Sequence, residues 1–324
     1  MEKVITKEKL LKAPALKLGD RVGLVCPSGR PFCPSVVEQC VRVVETMGFK
    51  PIIGKHVLSI HGYLAGTLEQ RLKDFDQFCK DDSIAGIFCV TGGFGSMHLL
   101  PHLDYSYIAA HPKVIVGCDD NTALLSAIQT LSGLITFHGP NLDLISSKYT
   151  FERFKQAVTR TAILEPILVS DLATDPIVPL LPYTPVVGSV EGRLLGGNLT
   201  ALVSLMGTPY QPNFKDAILF LEDKNERNDI LDRWFTTLYV AGELSQVSAV
   251  AFGQFKDCHP RGSYNMLSLE DLFGDRLKAM AKPSCFGIPL GQEISAATVP
   301  LGCKVLLDTK QGRLDFLEPA LERD

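Results

Sequence analysis

The sequence predicts an α/β protein: an N-terminal parallel-sheet domain of flavodoxin or Rossmann type, followed by a C-terminal β-rich α+β domain. Two observations carry the α/β class and the division. Short apolar runs alternate with helix-patterned segments through the first 150 residues, an order that gives parallel strands covered on both faces. Prolines then cluster from Pro166 to Pro185, and the pattern beyond them becomes mixed, with strands and helices both. The chain is read as an N-terminal domain over 1–162, a linker or crossover over 163–190, and a C-terminal domain over 191–324.

In order, RVGLVC (21–26) is a compact apolar strand. Ser35 and Glu38 have capping-box spacing at the start of a helix, with Val36, Val37, Cys40, Val41 and Val44 recurring at helical intervals and Gly48 ending it. Thr67 and Gln70 form a second capping box, before a helix whose buried face would be Leu68, Leu72, Phe75 and Phe78. IAGIFCV (84–90), VIVG (114–117) and LITFHGP (134–140) are strands, with a helix from about Thr122 to Leu131. Later strands are AILFLED (217–223) and VSAVAFG (247–253), and helices span Ile230 to Ala241 and Leu269 to Ala281. KVLLDT (304–309) and RLDFLE (313–318) form a hairpin across Lys310 to Gly312.

Composition narrows the function. Apolar residues make up 46% of the 324, charged residues 21%, and the net charge is −4 with no basic run, so nucleic acid is not an expected partner. No apolar stretch approaches the ~20 residues that span a bilayer. The charged N-terminus does not read as a secretory signal, so a cytoplasmic protein is expected. The nine cysteines include no C-x-x-C pair and read as buried, reduced thiols.

Five stretches could carry chemistry. VIVGCDDNTALL has the strand, sharp turn and helix start of a nucleophile elbow, with Asp119 at the tip. A carboxylate there faces the positive end of a helix; alternatively, Asp119 or Asn121 is only the helix cap. TGGFGS (91–96) is a glycine turn at a strand end, whose backbone amides can approach a ligand. EGRLLGGNLTAL (191–202) pairs two glycines before a helix, for a ligand or for a tight domain crossing. Glu222 and Asp223 end an apolar strand, where α/β enzymes place polar groups. Asp229 and Arg233 read as a surface ion pair. FGIPLGQEISAATVPLG (286–302) is a polar turn between two extended runs. Asp119, Asp120, Glu222 and Asp223 could gather round a metal, but aspartates at helix starts are usually caps, and no metal is expected.

In order and spacing these stretches resemble the LD-carboxypeptidase family, serine peptidases that trim murein tetrapeptides or cleave related amides. The resemblance extends over GDRVGLVCPSG, YLAGTLEQRLKDF (63–75), GGFGS, GCDDNTAL, TFHGP, GRLLGGNLTAL, GTPYQP (207–212), ILFLED and the final PLG (300–302). It implies that the C-terminal domain is β-rich, and also a site in the cleft between two domains, no cofactor, a homodimer, and a small-molecule or peptide-like ligand. It also implies that Asp119 stands at the family's serine, Cys118 at the preceding aromatic, Gln292 at the histidine and Thr91 at an arginine, while Glu222 keeps the glutamate. The expected site is therefore Asp119, Glu222 and Gln292, with Gly92, Gly93, Phe94, Asp120, His138 and Asn198 around the substrate or oxyanion.

Gln292 cannot take a proton from a nucleophile at neutral pH. Three functions follow as expectations. The first is a repurposed enzyme of isomerase, lyase or cyclase type, in a biosynthetic role, with Asp119 and Glu222 as acid and base. The second is a catalytically silent ligand-binding homologue. The third is a carboxypeptidase or amidase with Asp119, or a displaced Cys118, as nucleophile.

Overall fold

The computed structural model describes residues 10–172, 184–258 and 267–323. The elements of the first half are β1 (Arg21–Val25), α1 (Pro34–Met47), β2 (Lys50–Ile53), α2 (Leu68–Lys80), β3 (Ile84–Cys89), α3 (Tyr105–Ala110), β4 (Val114–Gly117), α4 (Asn121–Ser132), β5 (Thr136–His138) and α5 (Lys148–Thr159). After them come β6 (Ile167–Leu168), β7 (Ser189–Asn198), α6 (Leu199–Val203), β8 (Ala217–Lys224), α7 (Asn228–Val240), α8 (Glu243–Gln246) and β9 (Ala249–Lys256). The chain ends with α9 (Leu269–Ala279), β10 (Ser284–Cys285), β11 (Val299–Leu301), β12 (Lys304–Asp308) and β13 (Arg313–Phe316).

The first sheet has the order β11-β5-β4-β3-β1-β2. Strands β1 to β5 run parallel, as the alternation of strands and helices requires. The edge strand β11 is antiparallel to β5 and comes from late in the chain, with Val299 opposite His138. The second sheet has the order β10-β9-β8-β7-β12-β13-β6. Its half from β10 to β7 is parallel and its half from β7 to β6 is antiparallel. The closing hairpin is β12–β13, with Asp308 opposite Arg313.

The second sheet is covered on both faces, which explains the unbroken apolar run of β8. Leu219 and Leu221 pack with Leu231, Phe235 and Phe273 of α7 and α9 on one face. Ile218 and Phe220 face Ile288, Leu290 and Val299 on the other. The parallel strands of both sheets end toward the line where the domains meet. There the backbone N–H of Asn198 donates to Thr122 Oγ1 at 3.0 Å.

Some local readings need correcting. Helix α1 begins at Pro34 with Cys33 as its cap and no side-chain cap bond. Proline fixes φ and opens the helix one residue early, so Ser35 lies inside the first turn and no capping box forms. The Thr67–Gln70 box is complete, and Gly48 ends α1 in the left-handed region. On α2, Phe75 and Phe78 are buried but Leu68 and Leu72 only partly so, because the same face also buries Arg71 and Asp74. Asp229 pairs with Arg227, 2.6 Å away, and not with Arg233. All nine cysteines are free thiols, and only Cys33 is not buried. In the stretch read as a linker, residues 173–183 lie outside the described residues; before them, Ile167–Leu168 form β6 and pair with β13.

Candidate active site

Strand β4 is buried along its length and delivers the chain to a sharp turn at Cys118, Asp119 and Asp120 before α4. Asp119 has φ 60, in the left-handed region that non-glycine residues rarely occupy. Its side chain does not cap α4. Its Oδ2 accepts the backbone N–H of Gly93 at 2.9 Å instead. Gly92 makes room for that contact, since a Cβ there would lie 2.2 Å from Asp119 Oδ2.

Asp120 faces the same glycine turn. Its Oδ2 accepts the Ser96 N–H at 2.7 Å, and its carbonyl accepts the Ser96 hydroxyl at 2.6 Å. Behind the turn, Arg71 donates to the carbonyls of Pro27 and Gly95. TGGFGS is thus sewn to the elbow by two consecutive carboxylates. Phe94, at the turn's tip, is half-exposed and lies edge-on to Tyr63, with ring centroids 5.8 Å apart.

Cys118 points the other way. Its N–H donates to Asn141 Oδ1 at 3.0 Å, its sulfur accepts the Asn141 N–H at 3.3 Å, and burial pushes its thiol well up. A buried, protonated thiol is a poor nucleophile, so the displaced-thiol variant has no geometric support.

The second sheet brings Glu222 at the end of β8, paired in register with Asn198 on β7. Glu222 is fully buried. Its Oε2 accepts from Gln292 Nε2 at 3.2 Å. Gly291, at φ 133, carries the Gln292 turn close over the carboxylate: a Cβ there would lie 3.3 Å from Oε2. On the far side, His138 Nε2 is 3.7 Å from Glu222 Oε1. Neither ring nitrogen of His138 nor Glu222 Oε1 has a hydrogen-bond partner. Asn198 caps α6 by accepting the Ala201 N–H, and its side chain works against the raised pKa values of Glu222 and Asp223.

Burial dominates the electrostatics. It pushes Glu222 well above the usual carboxylate range, reinforced by the charges of Asp223 and Asp119. It lowers His138 to about 3, so the imidazole is neutral. Asp119 is pushed up to about 6 by burial, with the Gly93 N–H acting against the shift. Asp223 also rises to about 6, although it accepts from the Thr200 hydroxyl and N–H. The expected residues therefore form two clusters. Asp119, Asp120, Gly92 and Gly93 make the half-open elbow. Glu222, Gln292, His138 and Asn198 make a buried layer beneath it.

The sequence reading missed two charged groups. Lys224, two residues after Glu222, lowers both Asp119 and Asp143 by its charge and stands at a strand end, a position that could have marked it. Asp143, in the turn after β5, left no motif.

An elbow at the end of a parallel sheet, with a glycine turn facing it and a carboxylate delivered from a second sheet, is a hydrolase arrangement. The comparisons agree. The LD-carboxypeptidase N-terminal domain matches residues 22–139, and the LD-carboxypeptidase C-terminal domain matches residues 191–307. A probable murein peptide carboxypeptidase of Bacillus subtilis is 31% identical over 93% of this chain and 92% of its own. The microcin C7 self-immunity protein MccF of Escherichia coli is 31% identical over 99% of each chain. A structure of MccF in complex with glutamyl sulfamoyl guanosine superposes with a TM-score of 0.83 at 28% identity, covering 96% of this chain and 100% of the other. The chain belongs to the LD-carboxypeptidase family. Isomerase, lyase or cyclase chemistry, the first expectation from the sequence, is overturned: the family is that of the LD-carboxypeptidases and relatives in it are named murein carboxypeptidases, which points to hydrolase chemistry.

Proposed function

We propose that this protein is a carboxypeptidase-type hydrolase of small peptide-like amides, in which Asp119 stands where the family's serine would and directs a water molecule at the carbonyl. The carrying observation is the Asp119 carboxylate on a left-handed elbow tip, held by the Gly93 N–H.

With its acidity near pH 6, Asp119 is mostly ionised at neutral pH and still basic enough to take a proton. As water attacks the carbonyl carbon, one water proton passes to Asp119 and a C–O bond forms. The C–N bond then breaks, and Asp119 returns that proton to the leaving amine. The Lys224 charge, which acts on Asp119, would stabilise the developing oxyanion.

Glu222 is buried beneath the elbow, so its role is positioning. It fixes the Gln292 amide, which can donate or accept but cannot take the proton. A homodimer, as the resemblance implies, and a cytoplasmic location, as the charged N-terminus suggests, belong to this proposal; light scattering at micromolar concentration tests the first.

The test is a substrate panel. Purified protein is incubated with murein tetrapeptide and with aspartyl and glutamyl sulfamoyl nucleosides, and the products are weighed by mass spectrometry. Release of a free amine component is expected. Substrates that are retained intact after long incubation across pH 5–8 would overturn the reading.

A further inference from the structure

Beneath the elbow, two ionisable side chains face each other without a hydrogen bond. His138 Nε2 lies 3.7 Å from Glu222 Oε1, and both side chains are at most 1% exposed. Neither ring nitrogen of His138 nor Glu222 Oε1 has a hydrogen-bond partner among the described residues. Both groups are fixed by their surroundings. His138 lies on β5 opposite Gly117 of β4 and Val299 of β11, and its ring stands edge-on to Phe220 with centroids 5.0 Å apart. Gly197 leaves the ring its room, since a Cβ there would lie 2.9 Å from His138 Cδ2. Glu222 is held at its other oxygen, where Gln292 Nε2 donates to Oε2 at 3.2 Å.

Such a pair is either a buried ion pair or a neutral acid facing a neutral imidazole. A buried ion pair offsets its desolvation only with close contact and with hydrogen bonds on the remaining lone pairs. Here the contact is longer than a hydrogen bond, and Oε1 has no donor. The charges around Glu222 also oppose ionisation. Asp223 beside it on β8 and Asp119 at the elbow both push it up, in addition to burial. The thiols of Cys118 and Cys258, which feel the Glu222 charge, are themselves pushed up and stay neutral. Burial alone holds His138 neutral. Groups buried in this way give up their charge. The position of the proton follows from the bonds: Oε2 already accepts from Gln292, so Oε1 carries the proton and faces His138 Nε2.

We propose that His138 is a positioning residue that holds Glu222 as a neutral carboxylic acid, its Oε1–H donating to His138 Nε2 while the imidazole keeps its own proton on Nδ1. Closing the gap to hydrogen-bond length takes a side-chain adjustment of about 1 Å. This layer under Asp119 then carries no charge at neutral pH, so Asp119 can ionise and act on water without the charge of Glu222 against it. That consequence rests on the hydrolase reading; the protonation state of the pair does not.

The test is infrared spectroscopy of the full chain at pH 8, where Asp119 and Asp223, which ionise at about 6, are carboxylates. A carboxylic C=O band is expected in the wild type, shifted by carbon-13 labelling of glutamate and absent from E222Q. In H138F that band should move to higher frequency, as in an acid that has lost its acceptor. Nitrogen-15 NMR of the wild type, with His138 assigned through its contact with the Phe220 ring, should show Nδ1 protonated and Nε2 bare; it needs no variant to fold. A missing glutamate band at pH 8, or a His138 protonated on both nitrogens, makes the pair ionic and overturns the proposal. A band present with Nε2 protonated overturns the role given to His138. A protein that keeps the band and hydrolyses nothing in the substrate panel loses the hydrolase reading alone, and hydrolysis without the band removes the neutral acid alone.

Discussion

Asp119 holds its left-handed backbone because its neighbours leave it little choice: a buried strand precedes it, a helix follows, and the Gly93 N–H takes its carboxylate. Its raised acidity has a consequence for stability. An unfolded aspartate ionises near pH 3.9, while this one ionises at about 6 when folded. The folded state therefore binds more protons between those values. The stability this carboxyl contributes is fully present below about pH 4 and is lost as pH rises through 6. D119N keeps the shape and an acceptor for Gly93 without the charge. It should stabilise the protein at pH 7.5 by about 1 kcal/mol, a figure reduced for the residue's partial exposure, with no gain at pH 4; urea titrations at both values check this. The tip residue was legible because the strand, turn and helix are contiguous in sequence. The contact with Gly93 was not, since 26 positions separate the two residues. Glu222 and Gln292 were legible as candidates, but their burial below the elbow depends on how two sheets meet.

The elements that shape the site are glycine turns, and each glycine has a definite obstacle. At Gly92 a Cβ would strike the Asp119 side chain, which must then swing away. G92A should keep its helical circular dichroism and lose most of the turnover assigned to Asp119. At Gly196, with φ 131, a Cβ would lie 1.9 Å from the Phe220 carbonyl on the paired strand β8. Backbone there cannot yield, so G196A should cost about 3 kcal/mol or more in urea unfolding. Gly196 thus serves the pairing of β7 with β8, while Gly197, where a Cβ would lie 2.6 Å from the Thr122 side chain of α4, fits the tight domain crossing, one of the two alternatives left open by the sequence. Helix ends were legible where the cap is chemical, as at Thr67 and Gly48. The Ser35 box failed because Pro34 overrode it.

At the scale of the whole molecule, the two halves of the chain are interleaved. Strand β11, from the region after the Gln292 turn, completes the first sheet beside β5. No short-range pattern announces that pairing, because Val299 and His138 are 161 positions apart and β11 has only three residues. A fragment ending at residue 162 lacks this strand and exposes the edge of β5. It should unfold at lower urea than the intact chain or aggregate, as size-exclusion chromatography and urea titration would show. The shared edge also ties Gln292 to the first sheet, which is how a residue late in the chain reaches a site founded on β4.

The most direct measurement is the pH dependence of kcat/KM for amine release from whichever panel substrate turns over, in wild type and D119N. The wild-type rate should rise through an apparent pKa near 6 to a plateau, and D119N should lose about 10²-fold or more. Equal rates in the two proteins, or a wild-type rate that does not change between pH 5 and 8, would contradict it.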